Sequence, residues 1–486
     1  MKVISGEDER RDYSRDAGII EIEPKAIVIV ENLSDLEGAV EKARRDGVAI
    51  TPRGSGTSIP SQAVGKGYLV VHAGKSADVT PGHVSCGPGI VKADLNALLE
   101  SHHSWLPVDP SSYKACSIGG MVSNNSSGIR TFKYGSTIDF VEELEVLLPE
   151  EGVRLVRPMA LEDALGVEKT TRKVANLLLD NWKTIQKEMP ETTKNSSGYR
   201  LEHVVHDGIF DLPKLFTGSE GTLCLINRVK FRTIARPHFR RLVIANIEGL
   251  GELDVVVSQF RKHEPSAIEL LDRSIFTRAG RQSLLRKFGS ERTGYMIFCE
   301  IEAEREQEVE DTLGAIASDD RIAQFNPSVV SDNAQMSDAW DVRDLTLTIA
   351  GEMRRGQRRP VPGIEDVTVP SQRLGEILRF MQATFESHGL EYISYGHAGD
   401  ANLHMRPLLD PTDSSDLHLL NDLMRSVFER VWKLGGTMTG EHGDGMLRAP
   451  FVKEQYPETY ELMVEIKKIY DPKGLLNPGV KILVRK

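Results

Sequence analysis

Two polar clusters late in the chain constrain it most. Gly396-His397-Ala398-Gly399-Asp400-Ala401-Asn402-Leu403-His404 and Gly440-Glu441-His442-Gly443-Asp444-Gly445 lie on either side of a long helical pattern. A chain reversal at Gly-Asp-Ala-Asn makes His397 and His404 face each other across a hairpin. The second cluster places a carboxylate beside an imidazole between glycines. Two histidines and one carboxylate are a common ligand set for a divalent metal with an open position. His442 is then free to act as acid or base beside the metal. Asp400 and Asn402 either orient those ligands or shape the turn, and Asp400 suits the turn better.

A site of this kind needs a large scaffold and a cofactor to serve. The 486 residues suffice for two or three domains. Hydrophobic content of 40% and charged content of 27% fit a globular chain. A net charge of -11 argues against a nucleic-acid partner, although a local arginine cluster can still attract an anion. No apolar run is long enough to span a bilayer, and Met1 to Asp16 is too polar for a secretory signal. The cysteines Cys86, Cys116, Cys224 and Cys299 form no CxxC pair, which argues against an iron–sulfur cluster and for reduced, buried thiols in a cytoplasmic protein.

The first half reads as mixed α/β structure. Strands are expected at Ala26 to Glu31, Val48 to Thr51, Tyr68 to Ala73 and Val141 to Leu148. Helices are expected at Val91 to Glu100, at Val174 to Lys187, and after a capping box at Ser34-Asp35-Leu36-Glu37, closed by Gly47. Three glycine-rich loops punctuate this half: Arg53-Gly54-Ser55-Gly56-Thr57-Ser58, Cys116 to Gly128, and Thr217-Gly218-Ser219-Glu220-Gly221-Thr222-Leu223. Backbone N–H groups in such loops can cradle a pyrophosphate, although a single match is more often a turn. After Pro237 strands alternate with helices and the glycine-rich loops cease. That texture indicates a second α+β unit over an antiparallel sheet. Apolar residues at Leu417, Leu420, Met424, Val427, Val431 and Leu434 mark a helix stopped by Gly435 and Gly436.

The ordered motifs Pro52 to Thr57, Ser117-Ile118-Gly119-Gly120 with Ser127-Gly128, Asn195-Ser196-Ser197-Gly198-Tyr199, Gly218 to Leu223, Gly396 to His404, Glu441-His442-Gly443 and Asn477-Pro478-Gly479 cover nearly the whole chain. In them the chain resembles the FAD-linked oxidases and dehydrogenases of the vanillyl-alcohol oxidase type, in the D-lactate, glycolate and D-2-hydroxyglutarate dehydrogenase branch. The resemblance implies an α+β architecture: a PCMH-type FAD-binding domain over residues 1–235, a cap domain with an antiparallel sheet over 236–435, and a segment 436–486 returning to the flavin.

By the same resemblance, Arg53, Gly54, Ser55, Gly56, Thr57, Ser58, Ser117, Gly119 and Gly120 contact the pyrophosphate. Pro110, Asn124, Ser127, Gly128, Glu220, Gly221, Thr222 and Asn477 complete the cofactor site. Thr57 stands where some relatives carry a flavin-linking histidine, so the implied FAD is non-covalent. The implied metal ligands are His397, His404 and Glu441, holding zinc or manganese with iron as a third candidate, and His442 is the base. Arg343 matches the substrate-binding arginine. Tyr199 and Arg406 are further substrate candidates, Arg406 standing where relatives commonly have asparagine. The implied reaction oxidises a D-2-hydroxy acid, with hydride passing to flavin N5. The electrons then go to a separate iron–sulfur subunit, an electron-transfer flavoprotein, a quinone or a cytochrome. Peripheral association at the inner face of the membrane is part of the same expectation. Two other implied readings are a non-redox flavoenzyme of the alkylglycerone-phosphate synthase type and a flavin subunit of an electron-transfer complex.

Overall fold

A computed structural model describes residues 1–167, 169–278, 282–289 and 292–484. The β-branched run Ala26–Val30 forms a strand that pairs in parallel with Tyr68–His72, which in turn pairs with Ile50–Arg53. The helix Leu33–Arg45 connects the first and last of these and buries Leu36, Ala39, Val40 and Ala43 along one face. Its cap is Asn32, whose side chain accepts from Asp35 N, rather than the expected box at Ser34. Ser34 already lies inside the first turn, and Asn32 is the residue spaced to reach that orphan donor. A second sheet joins five antiparallel strands, with Leu225–Arg232 between His83–Cys86 and Val141–Leu148.

Two further expectations change. The segment from Val174 to Lys187 is two helices, Lys169–Asp180 and Trp182–Glu188. Asn181 breaks them apart: its side-chain amide donates to the Leu177 carbonyl at 2.8 Å and its backbone leaves the helical region. The stretch after Cys116 is not an open loop. Residues Ile118–Asn124 form a short helix, and the Ser117 hydroxyl caps it by accepting from Gly120 N.

Beyond residue 235 the strands join a different sheet. Among the described residues eight strands form it, all paired antiparallel, with Phe239–Ile247, Tyr295–Ala303, Ala267–Asp272, Tyr392–His397 and Asn402–Leu409 as consecutive neighbours. The helix Ser414–Lys433 buries Leu420, Leu423, Met424, Val427, Phe428 and Val431. Each such side chain contributes about 1.5–3 kcal/mol of burial. This helix ends at Gly435 with φ +79°, and the chain then turns back into the site. The C-terminal segment closes on the first sheet, where Ile50 N donates to Leu475 O and Asn477 N to Ile50 O. All four cysteines are free and buried. Among the described residues no helix is long and apolar enough to cross a membrane.

Candidate active site

The strands Tyr392–His397 and Asn402–Leu409 form the hairpin that carries the first cluster. His397 is paired with Asn402 and His404 with Tyr395, so the two histidines are diagonal neighbours on one face rather than opposite partners. Their rings still meet, with centroids 5.2 Å apart. Glu441 arrives on the turn after the long helix. Its Oε1 lies 3.3 Å from His397 Nε2, 3.1 Å from His404 Nε2 and 3.5 Å from His442 Nε2. Three imidazole nitrogens thus converge on one carboxylate oxygen.

Carboxylates behind the rings fix their tautomers. His397 Nδ1 meets Glu269 Oε1 at 2.7 Å, and His442 Nδ1 meets Glu365 Oε1 at 3.2 Å. Each Nδ1 then carries its proton outward and each Nε2 offers a lone pair inward. His404 has no partner on Nδ1, and burial lowers its pKa to about 4, leaving it a neutral donor. Burial also lowers the pKa of His442, but Asp366, Glu365 and Glu441 outweigh that and hold it above the usual imidazole value. Glu441 is opposed by burial too, yet Lys194 and His397 hold it well below the carboxylate range, so it is ionised. An ionised buried carboxylate beside three imidazoles, of which His404 is held neutral, is a donor set suited to a divalent cation, which would displace protons from the other two rings.

Asp366 also offers an oxygen within 4.8 Å of the ligand atoms of His404, Glu441 and His442. Its oxygens are already committed. They accept from Thr439 Oγ1, Glu441 N, His442 N and Asn402 Nδ2, so Asp366 holds the turn in place. Asn402 acts as a positioning group through the same contact. Asp400 sits in the hairpin turn with both oxygens lacking hydrogen-bond partners, 3.6 Å from Lys194 Nζ.

A cavity of about 430 Å³ opens onto this cluster. His404, Glu441, His442, Tyr395 and Arg406 line one end, and Gly56 to Ile59, Pro110, Gly120, Asn124 and Ser127 line the rest. A smaller cavity of about 80 Å³ continues along Arg53, Gly54, Ser117, Gly119, Glu220 and Gly221. The glycine-rich segments of the first half and the polar clusters of the second therefore share one continuous region. The glycines are spatially required there. A Cβ on Gly128 would lie 2.1 Å from the Asp109 carbonyl, and one on Gly54 2.3 Å from Ser117 Oγ. The chain backs close to itself and leaves a groove on the open side, which fits an extended cofactor.

Residues 236–480 match the family described as FAD linked oxidases, C-terminal domain, and residues 24–156 match an FAD binding domain. The chain belongs to the FAD-linked oxidase family. It is 26% identical to D-2-hydroxyglutarate dehydrogenase of Escherichia coli (strain K12), over 97% of this chain and 49% of that protein. It is 27% identical to D-lactate dehydrogenase of Archaeoglobus fulgidus, over 93% of this chain and 90% of that one. The chain thus spans about half the length of the first curated relatives it matches. Among solved structures, p-cresol methylhydroxylase with substrate bound superposes with a TM-score of 0.72 at 12% identity, covering 99% of this chain and 94% of the other. That likeness concerns the fold, which is the PCMH-type architecture expected from the motifs.

Several expected site residues of this FAD-linked oxidase also have partners within the chain. Arg343, on the helix Asn333–Glu352, lies behind Tyr395 with its Nε 2.6 Å from Glu269 Oε2. Its Nη2 is buried without a partner. The Tyr199 hydroxyl is 2.8 Å from Thr222 Oγ1, and the segment before it is tied to the Thr439–Asp444 turn by Ser196 Oγ donating to Gly440 O and Ser197 Oγ to Asp444 Oδ1. Glu220 accepts from Asp444 N and Gly445 N and pairs with Lys481, clamping the turn that carries His442. Asn477 donates to Gln62 O and Glu220 O, while its buried Oδ1 has no partner. Arg53 stacks over Tyr13 and donates to Ala63 O and Arg15 O at the cavity edge.

The motifs left Lys194, Glu269, Glu365 and Tyr395 out of the site. Lys194 directly precedes the Asn195 motif, and Tyr395 directly precedes the Gly396 cluster. Those adjacencies were the available signals. Glu269 and Glu365 had none, since Glu269 reaches the site through strand pairing and Glu365 through its contact with His442 Nδ1.

Proposed function

We propose that this chain oxidises a D-2-hydroxy acid to the 2-oxo acid and passes the electrons to a separate acceptor. The observation that carries the reading is the shared cavity: one wall is the glycine-lined cofactor groove and the other is the histidine–glutamate cluster. Buried groups without partners supply the substrate's anchor. Arg406 Nε and Tyr395 Oη both lack hydrogen-bond partners, and no carboxylate pairs with Arg406 among the described residues. Burial opposes the Arg406 charge, but Tyr395, Glu365, Asp366 and Glu441 hold it above the usual guanidinium value, and its Nε still has no acceptor. A substrate carboxylate meets that need, with a geometry that suits guanidinium.

When bound, FAD supplies the hydride acceptor and a divalent cation supplies Lewis acidity toward the substrate hydroxyl. His397, His404 and Glu441 would hold that cation. His442 lines the cavity, and its Nε2 takes the hydroxyl proton. Glu365 stabilises the imidazolium that results, and Arg448, donating to Glu365 Oε1 at 3.1 Å, keeps that carboxylate in place. Glu269 couples Arg343 to His397, so the ligand ring and the guanidinium share one support. Thr57 has no imidazole to form the histidyl–flavin bond that some relatives carry, so FAD is held non-covalently in this reading, and acid precipitation should release it to the supernatant.

The test is dye-linked turnover by FAD-loaded protein with D- and L-lactate, glycolate, D-2-hydroxyglutarate and D-malate. The reading expects turnover with one or more of these, D forms over L, lost after chelation and restored by zinc, manganese or iron. Absence of turnover with every acid in metal-replete protein would remove it.

A further inference from the structure

Lys194 is a fully buried lysine whose ammonium meets the carboxylate of the cluster. Its Nζ lies 3.0 Å from Glu441 Oε2 and 3.6 Å from Asp400 Oδ2, and its side chain has no exposed surface. Glu441 divides its two oxygens. Oε1 faces the three imidazoles, while Oε2 accepts from Lys194 and from Ser127 Oγ at 3.2 Å. Taking an ammonium out of water costs several kcal/mol, and here it is offset only by the buried carboxylates of Glu441 and Asp400. Asp400 alone does not account for the lysine, since it makes no hydrogen bond to it.

We propose that Lys194 is a positioning residue that leaves Glu441 one oxygen for a divalent cation and weakens that oxygen as a donor. The role rests on reading His397, His404 and Glu441 as the metal ligands. Groups that accept protons from ligand imidazoles, as Glu269 does, strengthen metal binding. Lys194 does the reverse. Its positive charge draws density from Glu441 and repels a cation across a short, low-dielectric distance. The cation is held less tightly and stays a stronger electrophile toward the substrate.

The experiment compares wild type with Lys194→Met, Lys194→Gln and Lys194→Arg, each FAD-loaded and stripped of metal. Zinc and manganese affinities are measured by competition with a chelator, and turnover is followed with the best acid. The two neutral variants should bind metal at least about tenfold more tightly, a gain of ~1.4 kcal/mol, while turnover falls. Lys194→Arg should stay near wild-type affinity. A lysine that merely props the fold predicts the opposite, weaker binding in the neutral variants. Equal or weaker binding by whichever neutral variant folds and retains FAD overturns the proposal. Absence of metal binding in wild type overturns the metal reading itself, and the wild-type arm reports that separately.

Discussion

Burial, rather than distance, decides what the ion pair at the end of the chain is worth. Lys481 Nζ lies 2.7 Å from Asp444 Oδ2 and 3.0 Å from Glu220 Oε1, with no exposed side-chain surface. It also donates to Ser196 O at 3.0 Å and Gly198 O at 2.8 Å. Lys453 makes a pair of the same length with Glu461, 2.7 Å, but both side chains are more than half exposed. Replacing Lys481 by methionine strands two carboxylates away from water and leaves two carbonyls unpaired. Breaking a buried pair in this way costs about 3–5 kcal/mol. For a unit of this size that corresponds to a fall in Tm on the order of 10 °C. FAD retention should fall as well, because Glu220 and Asp444 hold the turn that carries His442. Lys453→Met should leave Tm and FAD content unchanged, since water already screens that pair. Thermal melts followed by flavin release measure both. Equal shifts in the two variants would refute the argument that burial sets the magnitude.

Arg406→Met should separate function from fold. Losing a charge-assisted hydrogen bond of about 1.5–3 kcal/mol predicts roughly 10–100-fold lower kcat/KM. The melting temperature should fall far less than in Lys481→Met, since among the described residues no carboxylate lies at ion-pair distance from Arg406 and its Nε has no acceptor. Gly128→Ala puts a Cβ against the Asp109 carbonyl and should weaken FAD retention at least about tenfold, read from flavin absorbance after gel filtration. Lys92 donates to Leu106 O in the core of the first half, and burial lowers its pKa to about 7. Between that value and its unfolded value the unfolded chain binds more protons, so stability rises with pH. The difference in slope from Lys92→Met should approach about 1.4 kcal/mol per pH unit in denaturant melts above pH 7, and a parallel pair of curves would contradict it.

Much of this site is legible in the sequence because its key groups come in short local patterns. The histidines of the hairpin, the Glu441-His442 pair and the glycines of the groove each announce themselves within a few residues. The architecture follows from the change of texture near Pro237, where the strands leave one sheet for another. What escapes is relational. Nothing near Glu269 marks it, yet strand pairing with Tyr392–His397 sets it opposite His397. The hairpin register, which makes His397 and His404 diagonal rather than opposite, depends on where the Ala398–Asp400 turn closes. Tyr199, expected at the substrate, and Glu220 and Asn477, expected at the cofactor, also tie one segment to another, a role that only the assembled chain reveals.

The most direct measurement is anaerobic, single-turnover mixing of FAD-loaded protein with a D-2-hydroxy acid and its L enantiomer, before and after metal removal. The account predicts loss of the oxidised flavin band with the D acid alone, abolished by chelation and recovered on adding back one divalent cation. Bleaching of equal rate in fully metal-free protein would contradict the joint site on which the account stands.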